Sequence, residues 1–149
     1  MVSRRIAFLG EITSADPAHL GNKGAGLARL MRAGFPVPQA FCIPTGVYDR
    51  FLEANDLRGR IEETVAQWVD ASSDVAQDTL ATLRGAIVAG QLDPSLCAAV
   101  HAALDRLGHV PVAVRSSATS EDLPDYSFAG QYETILGVCG APACFDAVK

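Results

Sequence analysis

One arginine and a group of hydroxyl side chains follow directly after an alternating apolar run. Val110, Val112 and Val114 alternate as in a half-buried strand, and Arg115 stands where that run stops. The residues that follow are small and hydroxylated: Ser116, Ser117, Thr119 and Ser120. The guanidinium is a planar fork of donors that matches phosphate oxygens, and small residues let backbone amides approach an anion. This pattern predicts an anion-binding loop.

Two interpretations of this segment remain open. Arg115 can bind an anion, or it can pair with Glu121 or Asp122 and thereby hold the loop in place, and the two roles are compatible. Further along, Gly130 allows a second close approach of the backbone, and Thr134 in the next strand offers a hydroxyl donor. Ordinary strand propensity is the alternative explanation for Thr134.

A second candidate segment, residues 21–26, is rich in glycine and carries Lys23. We expect it at the start of a helix, where unpaired backbone amides and the helix dipole attract anions. It is neither a Walker A loop, because Gly-Lys-Ser/Thr is missing, nor a dinucleotide-binding fingerprint. For this segment alone, a glycine turn with a solvated lysine is the stronger interpretation.

The composition excludes several classes of protein. The 149 residues are 49% hydrophobic and carry a formal net charge of -5, which fits one folded domain and disfavours a general nucleic-acid surface. No apolar run approaches the length of a membrane span, and the first residues do not form a signal peptide. The four cysteines lack Cys-x-x-Cys spacing. We therefore expect a cytoplasmic protein with free thiols.

Apolar periodicity predicts an α+β domain with short strands and a helical middle. A helix is expected to begin within residues 21–26, Thr45 to cap the next one, and Asp93 with Pro94 to open a helix that ends at Gly108. A last helix is expected over residues 141–149. The terminal strands are expected to meet in one small sheet. Strands are predicted at residues 6–9, 41–43, 110–114 and 131–138.

Residues 21–27, 34–41, 114–124 and 127–131 together resemble one family. It is the N-terminal ATP-binding domain of the phosphoenolpyruvate synthase and pyruvate phosphate dikinase group, which includes rifampicin phosphotransferase. The resemblance spans nearly the whole chain, and its compact helical interval is more similar to the synthase and rifampicin branches. It implies that residues 1–149 form the N-terminal part of an ATP-grasp-type nucleotide-binding domain.

The resemblance also implies roles for individual residues. Lys23 and Arg115 would contact the phosphates of ATP, while Gly130 and Thr134 would line the nucleotide cleft. Asn22 stands where the family usually has a second glycine, a change that asparagine's tolerance of positive φ permits but that can alter how Lys23 is presented. The ligands of Mg²⁺ would lie outside this chain, in the second half of the domain.

The implied function is the ATP-binding portion of a phosphotransferase. A histidine on another domain would carry the phosphoryl group from ATP to pyruvate or to a drug hydroxyl, and the isolated chain would be inactive. Its partner would be the missing C-terminal half of the ATP-binding domain, or a chain that supplies it. The alternative is a stand-alone, non-catalytic module that binds nucleotide or docks onto a partner as a subunit of a split enzyme.

Overall fold

The computed structural model describes residues 5–68, 73–119 and 133–149. Helices fill the middle of the chain and short strands lie towards both ends, which confirms the predicted α+β class. A single turn of 3-10 helix, Leu9–Glu11, follows the first strand. The strands are β1 (Ala7–Phe8), β2 (Phe41–Cys42), β3 (Val112–Arg115) and β4 (Thr134–Val138), and the helices are α1 (Pro17–Arg32), α2 (Thr45–Ala54), α3 (Leu57–Trp68), α4 (Ser73–Ala89), α5 (Pro94–Arg106) and α6 (Gly140–Val148).

Helix α1 begins one turn earlier than predicted. Asp16 caps it by accepting a hydrogen bond from the backbone N–H of Ala18 at 2.9 Å, and Pro17 fills the first helical position. The helix is then broken at Gly21, whose φ of 68° and ψ of 169° are not helical. The glycine segment is therefore an interruption within α1. The helix predicted to begin within residues 21–26 corresponds to the second helical segment, which follows Gly21, and the turn before it, from Pro17 to Leu20, is the part that was not predicted.

The prediction for α2 was wrong in one detail. Pro44 occupies the cap position and makes no side-chain cap bond, while Thr45 is the first helical residue. The Thr45 hydroxyl instead donates a 2.7 Å hydrogen bond to the carbonyl oxygen of Ala18 in α1. Thr45 thus joins two helices, because a freed carbonyl of α1 lies within its reach.

The described strands pair as two separate antiparallel sheets of two strands each, so the expectation of one sheet is wrong for this part of the chain. In the first sheet, Phe8 lies opposite Phe41. The guanidinium of Arg106 in α5 lies 3.8 Å from the centre of the Phe8 ring and also pairs with Glu11. Arg106 of α5 therefore packs against this sheet.

The core lies between α5, α6 and the second sheet. Val100 and Leu104 of α5 pack in one cluster with Val138 of β4 and Cys144 of α6. The predicted signals of α5 are confirmed, because the Asp93 side chain accepts a hydrogen bond from the Ser95 N–H and a positive-φ Gly108 follows the helix. This core supports the second sheet, at whose end Arg115 lies.

Within the described ranges, no single helix is long and apolar enough to cross a membrane. The segments Gln77–Ala89 and Pro94–Arg106 reach that length and composition only as a pair, and they are bent by 72°.

Candidate phosphate-binding site

The break in α1 and the loop after β3 are in direct contact, although about 93 residues separate them in the sequence. The Ser117 hydroxyl accepts a hydrogen bond from the backbone N–H of Gly24 at 2.9 Å. The same hydroxyl donates to the carbonyl oxygen of Leu20 at 2.8 Å. One side chain of the second motif thus contacts both sides of the break at Gly21.

Asn22 adds two further bonds between these segments. Its backbone N–H donates to the carbonyl oxygen of Ala118 at 3.2 Å, and its side-chain amide donates to the carbonyl oxygen of Thr119 at 3.3 Å. Asn22 does not have a positive φ, so the tolerance of asparagine for that conformation is not needed here; Gly21 has the positive φ at the break. The side chain that a glycine would lack contributes one of the bonds between the two motifs.

The glycines are required by close packing at this junction. A Cβ on Gly21 would lie 1.6 Å from the carbonyl oxygen of Ser117, and one on Gly24 would lie 2.8 Å from the Sγ of Cys42. Burial raises the pKa of the Cys42 thiol. The Cys42 thiol on β2 therefore stays protonated near neutral pH and lies beside Gly24, next to the break in α1.

Three of the four candidate residues are neighbours in sequence, or strand partners of neighbours, of the residues that form this junction. Lys23 is half-buried and lies between Asn22 and Gly24, whose backbone N–H groups are both bonded to the second motif. Arg115 is the exposed last residue of β3 and lies directly opposite Thr134 in the β3–β4 register. Gly130 lies outside the described residues.

The Arg115 guanidinium makes no hydrogen bond or ion pair with another described residue. The two carboxylates proposed to hold it, Glu121 and Asp122, lie outside the described ranges, so that alternative stays open. Ser116, the next residue, has a buried hydroxyl oxygen with no hydrogen-bond partner among the described residues. Because buried polar atoms are normally satisfied, Ser116 joins the candidates for ligand contact. The sequence indicated its residue type but not its burial.

Among the described residues, no group of three or more His, Cys, Asp or Glu side chains is placed to hold a metal ion. The junction instead offers a lysine, an arginine, hydroxyls and backbone amides. These are donors and cations, which suit an anion and not Mg²⁺.

An open cavity of about 500 Å³ lies elsewhere, between the α4–α5 connection and α6. Cys97, Phe145 and Lys149 are among its lining residues, and none of the candidate residues is. The candidate site is therefore identified by its cations and hydrogen-bond donors and not by the size of a cavity.

Residues 17–149 match the family described as pyruvate phosphate dikinase, AMP/ATP-binding domain. The chain is 36% identical over 142 residues to a probable phosphoenolpyruvate synthase of Methanocaldococcus jannaschii, covering 91% of this chain and 12% of that protein. It is 37% identical to a rifampicin phosphotransferase of a Streptomyces species, covering 94% of this chain and 16% of that protein. It is 32% identical to the phosphoenolpyruvate synthase of Pyrococcus furiosus, covering all of this chain and 23% of that protein.

The chain thus spans between 12 and 23% of the length of these three relatives, whose names are those of the group that the motifs resemble. The match extends from the first residue of α1 to the end of α6 and so contains both motifs and the junction between them. On this evidence, the chain belongs to the pyruvate phosphate dikinase AMP/ATP-binding domain family.

Proposed function

We propose that this chain holds the phosphates of ATP at the junction between the α1 break and the β3–β4 sheet. The observation that carries the proposal is the pair of hydrogen bonds at the Ser117 hydroxyl, which accepts from the Gly24 N–H and donates to the Leu20 carbonyl, because they join the Lys23 segment to the Arg115 segment. Lys23 is assigned to the phosphates as a point charge, and Arg115 as a bidentate donor.

The chemistry of this assignment is charge neutralisation. A lysine and an arginine on the β and γ phosphates reduce the repulsion that an attacking nucleophile meets at phosphorus. Each hydrogen bond to a charged group contributes about 1.5–3 kcal/mol. Loss of one such bond is therefore expected to weaken ATP binding about tenfold or more.

Thr134 and Gly130 complete the proposed contacts. Thr134 lies opposite Arg115 in the β3–β4 ladder, so the two side chains belong to the same end of the sheet. Gly130 is assigned to the nucleotide cleft on the basis of the family resemblance. Its lack of a side chain would permit a close approach between backbone and ligand.

The full reaction requires parts beyond these 149 residues. We propose that the parent enzyme is an ATP-dependent phosphotransferase in which a histidine on another domain receives the phosphoryl group and passes it to pyruvate or to a drug hydroxyl. Carboxylate and amide ligands for Mg²⁺ are placed in the remainder of the ATP-binding domain, because the donors at this junction suit an anion. This chain alone is expected to be inactive, and a cytoplasmic location stays a prediction.

The proposed partner is the other half of the ATP-binding domain, and the β3–β4 sheet is its contact surface. Leu136 of β4 is 74% exposed and the neighbouring Ile135 is 37% exposed. Each strand has one edge without a partner strand among the described residues. Exposed apolar side chains on an open sheet edge are typical of a surface that another segment covers. The same surface suits a separate subunit in the stand-alone alternative.

Calorimetric titration with ATP and with AMP, both with Mg²⁺ at millimolar concentrations, tests the proposal. Because the two cations are assigned to the β and γ phosphates, the wild-type chain is expected to bind ATP more tightly than AMP. Lys23→Ala and Arg115→Ala should each remove most of that preference and leave AMP binding nearly unchanged. Equal binding of ATP and AMP by the wild-type chain, or an unchanged preference in both variants, would refute the assignment.

A further inference from the structure

The Ser117 hydroxyl lies between the two ends of an interrupted helical hydrogen bond. Leu20 and Gly24 are four residues apart, and in a continuous α-helix the N–H of the second donates to the carbonyl of the first. Here the Ser117 hydroxyl accepts from the Gly24 N–H at 2.9 Å and donates to the Leu20 carbonyl at 2.8 Å. A residue of the second motif is therefore inserted into the hydrogen-bond ladder of α1.

A second helical hydrogen bond is also interrupted at this break. Asn22 N–H and the Ala18 carbonyl would pair in a continuous helix. Asn22 N–H donates instead to the Ala118 carbonyl at 3.2 Å, and the Ala18 carbonyl accepts from the Thr45 hydroxyl at 2.7 Å. Partners from other segments thus satisfy groups on both sides of the break, and Ser117 is the one that contacts both sides at once.

We propose that Ser117 is a positioning residue for ATP, which rests on the proposed function. Its bonds hold the backbone at Gly24, one residue after Lys23, and at Leu20, three residues before it, and its own backbone lies two residues from Arg115. The hydroxyl fixes the lysine-bearing start of the second helical segment relative to the arginine-bearing end of β3. Both cations are then oriented before the nucleotide arrives, so ATP does not have to order them.

The chemistry of the site requires a hydroxyl at position 117. A serine hydroxyl has one proton to donate and lone pairs to accept, so it can serve an N–H and a carbonyl together. It is also small enough to lie beside Gly21 and Gly24, where added side-chain atoms would meet Ser117. Alanine has the same small volume but satisfies neither backbone group.

Two readouts on matched variants test this role. Ser117→Ala removes the hydroxyl that spans the break. Thr45→Ala is the control, because it removes another hydroxyl that bonds to a carbonyl at the same break but does not touch the second motif. Amide hydrogen exchange of Gly24 and affinity for Mg-ATP are measured at a temperature at which circular dichroism shows every variant folded.

We expect Gly24 exchange to accelerate and ATP affinity to fall about tenfold in Ser117→Ala. Thr45→Ala is expected to lower the unfolding temperature but to retain wild-type ATP affinity. If Ser117→Ala does not fold, Ser117→Cys replaces it, because a thiol of similar shape is a weak donor and acceptor; its ATP affinity should also fall. Wild-type ATP affinity in the folded Ser117 variant, or unchanged Gly24 exchange, would overturn the role.

Lys23→Ala in the same titration separates this inference from the proposed function. If Lys23→Ala weakens ATP binding and the Ser117 variant does not, only the positioning role fails. If Lys23→Ala binds ATP as tightly as the wild-type chain, the assignment of Lys23 to the phosphates fails and the positioning role fails with it.

Discussion

Gly21 and Ser117 approach each other so closely that no side chain fits between them. A Cβ on Gly21 would lie 1.6 Å from the Ser117 carbonyl oxygen, and Gly21 has a φ of 68° that disfavours other residues. The two motifs therefore meet through backbone contact as well as through the Ser117 hydroxyl.

Gly21→Ala is expected to destabilise the chain by about 3 kcal/mol or more, because the new methyl group meets a backbone atom at a positive φ. Gly26→Ala is the matched control in the same helix. A Cβ at Gly26 has no atom within 4 Å, so that variant is expected to be stabilised by about 0.5–1 kcal/mol. Urea unfolding of the three proteins measures both changes. Equal stability of the two variants would contradict the described geometry.

The local features of the fold can be predicted from the sequence. The helical middle, the strand that ends at Arg115 and the Asp93 cap follow from periodicity and capping rules that act over a few residues. The early start of α1 was available from the same signal, because Asp16 and Pro17 repeat the Asp93 and Pro94 pattern. The glycines of residues 21–26 are a second signal for a helix start, and the prediction followed them instead of Asp16 and Pro17.

Other features depend on contacts between distant segments, which local patterns do not encode. Lys23 and Arg115 were each identified as candidates from local chemistry and from the family motifs. The insertion of Ser117 into the α1 ladder was not, because it joins segments about 93 residues apart. The separation into two small sheets likewise depends on tertiary packing, such as that of Arg106 against Phe8.

A core substitution tests whether α5 is central to stability. Val100 is 1% exposed in the α5–α6 core, whereas Val88 of α4 is 51% exposed. Val100→Ala is expected to cost about 2 kcal/mol, because two buried methyl groups are removed and a cavity remains. Val88→Ala should change the free energy of unfolding by less than about 0.5 kcal/mol. Chemical denaturation compares them; similar costs would contradict the assigned core.

The Asp93 cap predicts a dependence of stability on pH. Hydrogen bonds from the Ser95 hydroxyl and then the Ser95 backbone N–H lower the pKa of Asp93, with a smaller contribution from Arg5. A carboxylate whose pKa is lowered by folding stabilises the protein above its unfolded pKa and loses that contribution as the pH falls through its folded pKa.

Asp93→Asn removes this titration and keeps an acceptor for the cap. The stability difference between wild type and Asp93→Asn should be constant from about pH 7 to pH 5 and should shrink below about pH 4. Urea unfolding at several pH values measures it. A difference that stays constant down to about pH 2 would show that Asp93 is not a titrating contributor.

Thiol reactivity tests the packing behind the α1 break. Burial raises the pKa of both Cys42 and Cys144, which lowers their thiolate fractions, whereas Cys139 is exposed. Iodoacetamide near pH 8 should therefore modify Cys139 well before Cys42 or Cys144, as followed by peptide mass spectrometry. If Cys42 reacts as fast as Cys139, the contact between Cys42 and Gly24 does not persist in solution.

Lys23 and Arg115 are proposed to hold one triphosphate at the junction of the two motifs. The most direct test is an NMR titration of the ¹⁵N-labelled chain with Mg-ATP, which detects binding even at dissociation constants of about 1 mM. Lys23→Ala and Arg115→Ala are compared with Lys149→Ala and Arg84→Ala. The controls remove the same charges from the cavity beside α6 and from an exposed position on α4.

Saturable shifts centred on the amides of Gly24 and Ser117 are expected in the wild-type chain and in both controls. Those shifts should require about tenfold more ATP, or disappear, in Lys23→Ala and in Arg115→Ala. A wild-type chain whose amides do not respond to ATP, or a response that both site variants retain at wild-type affinity, would show that these two residues do not hold the triphosphate.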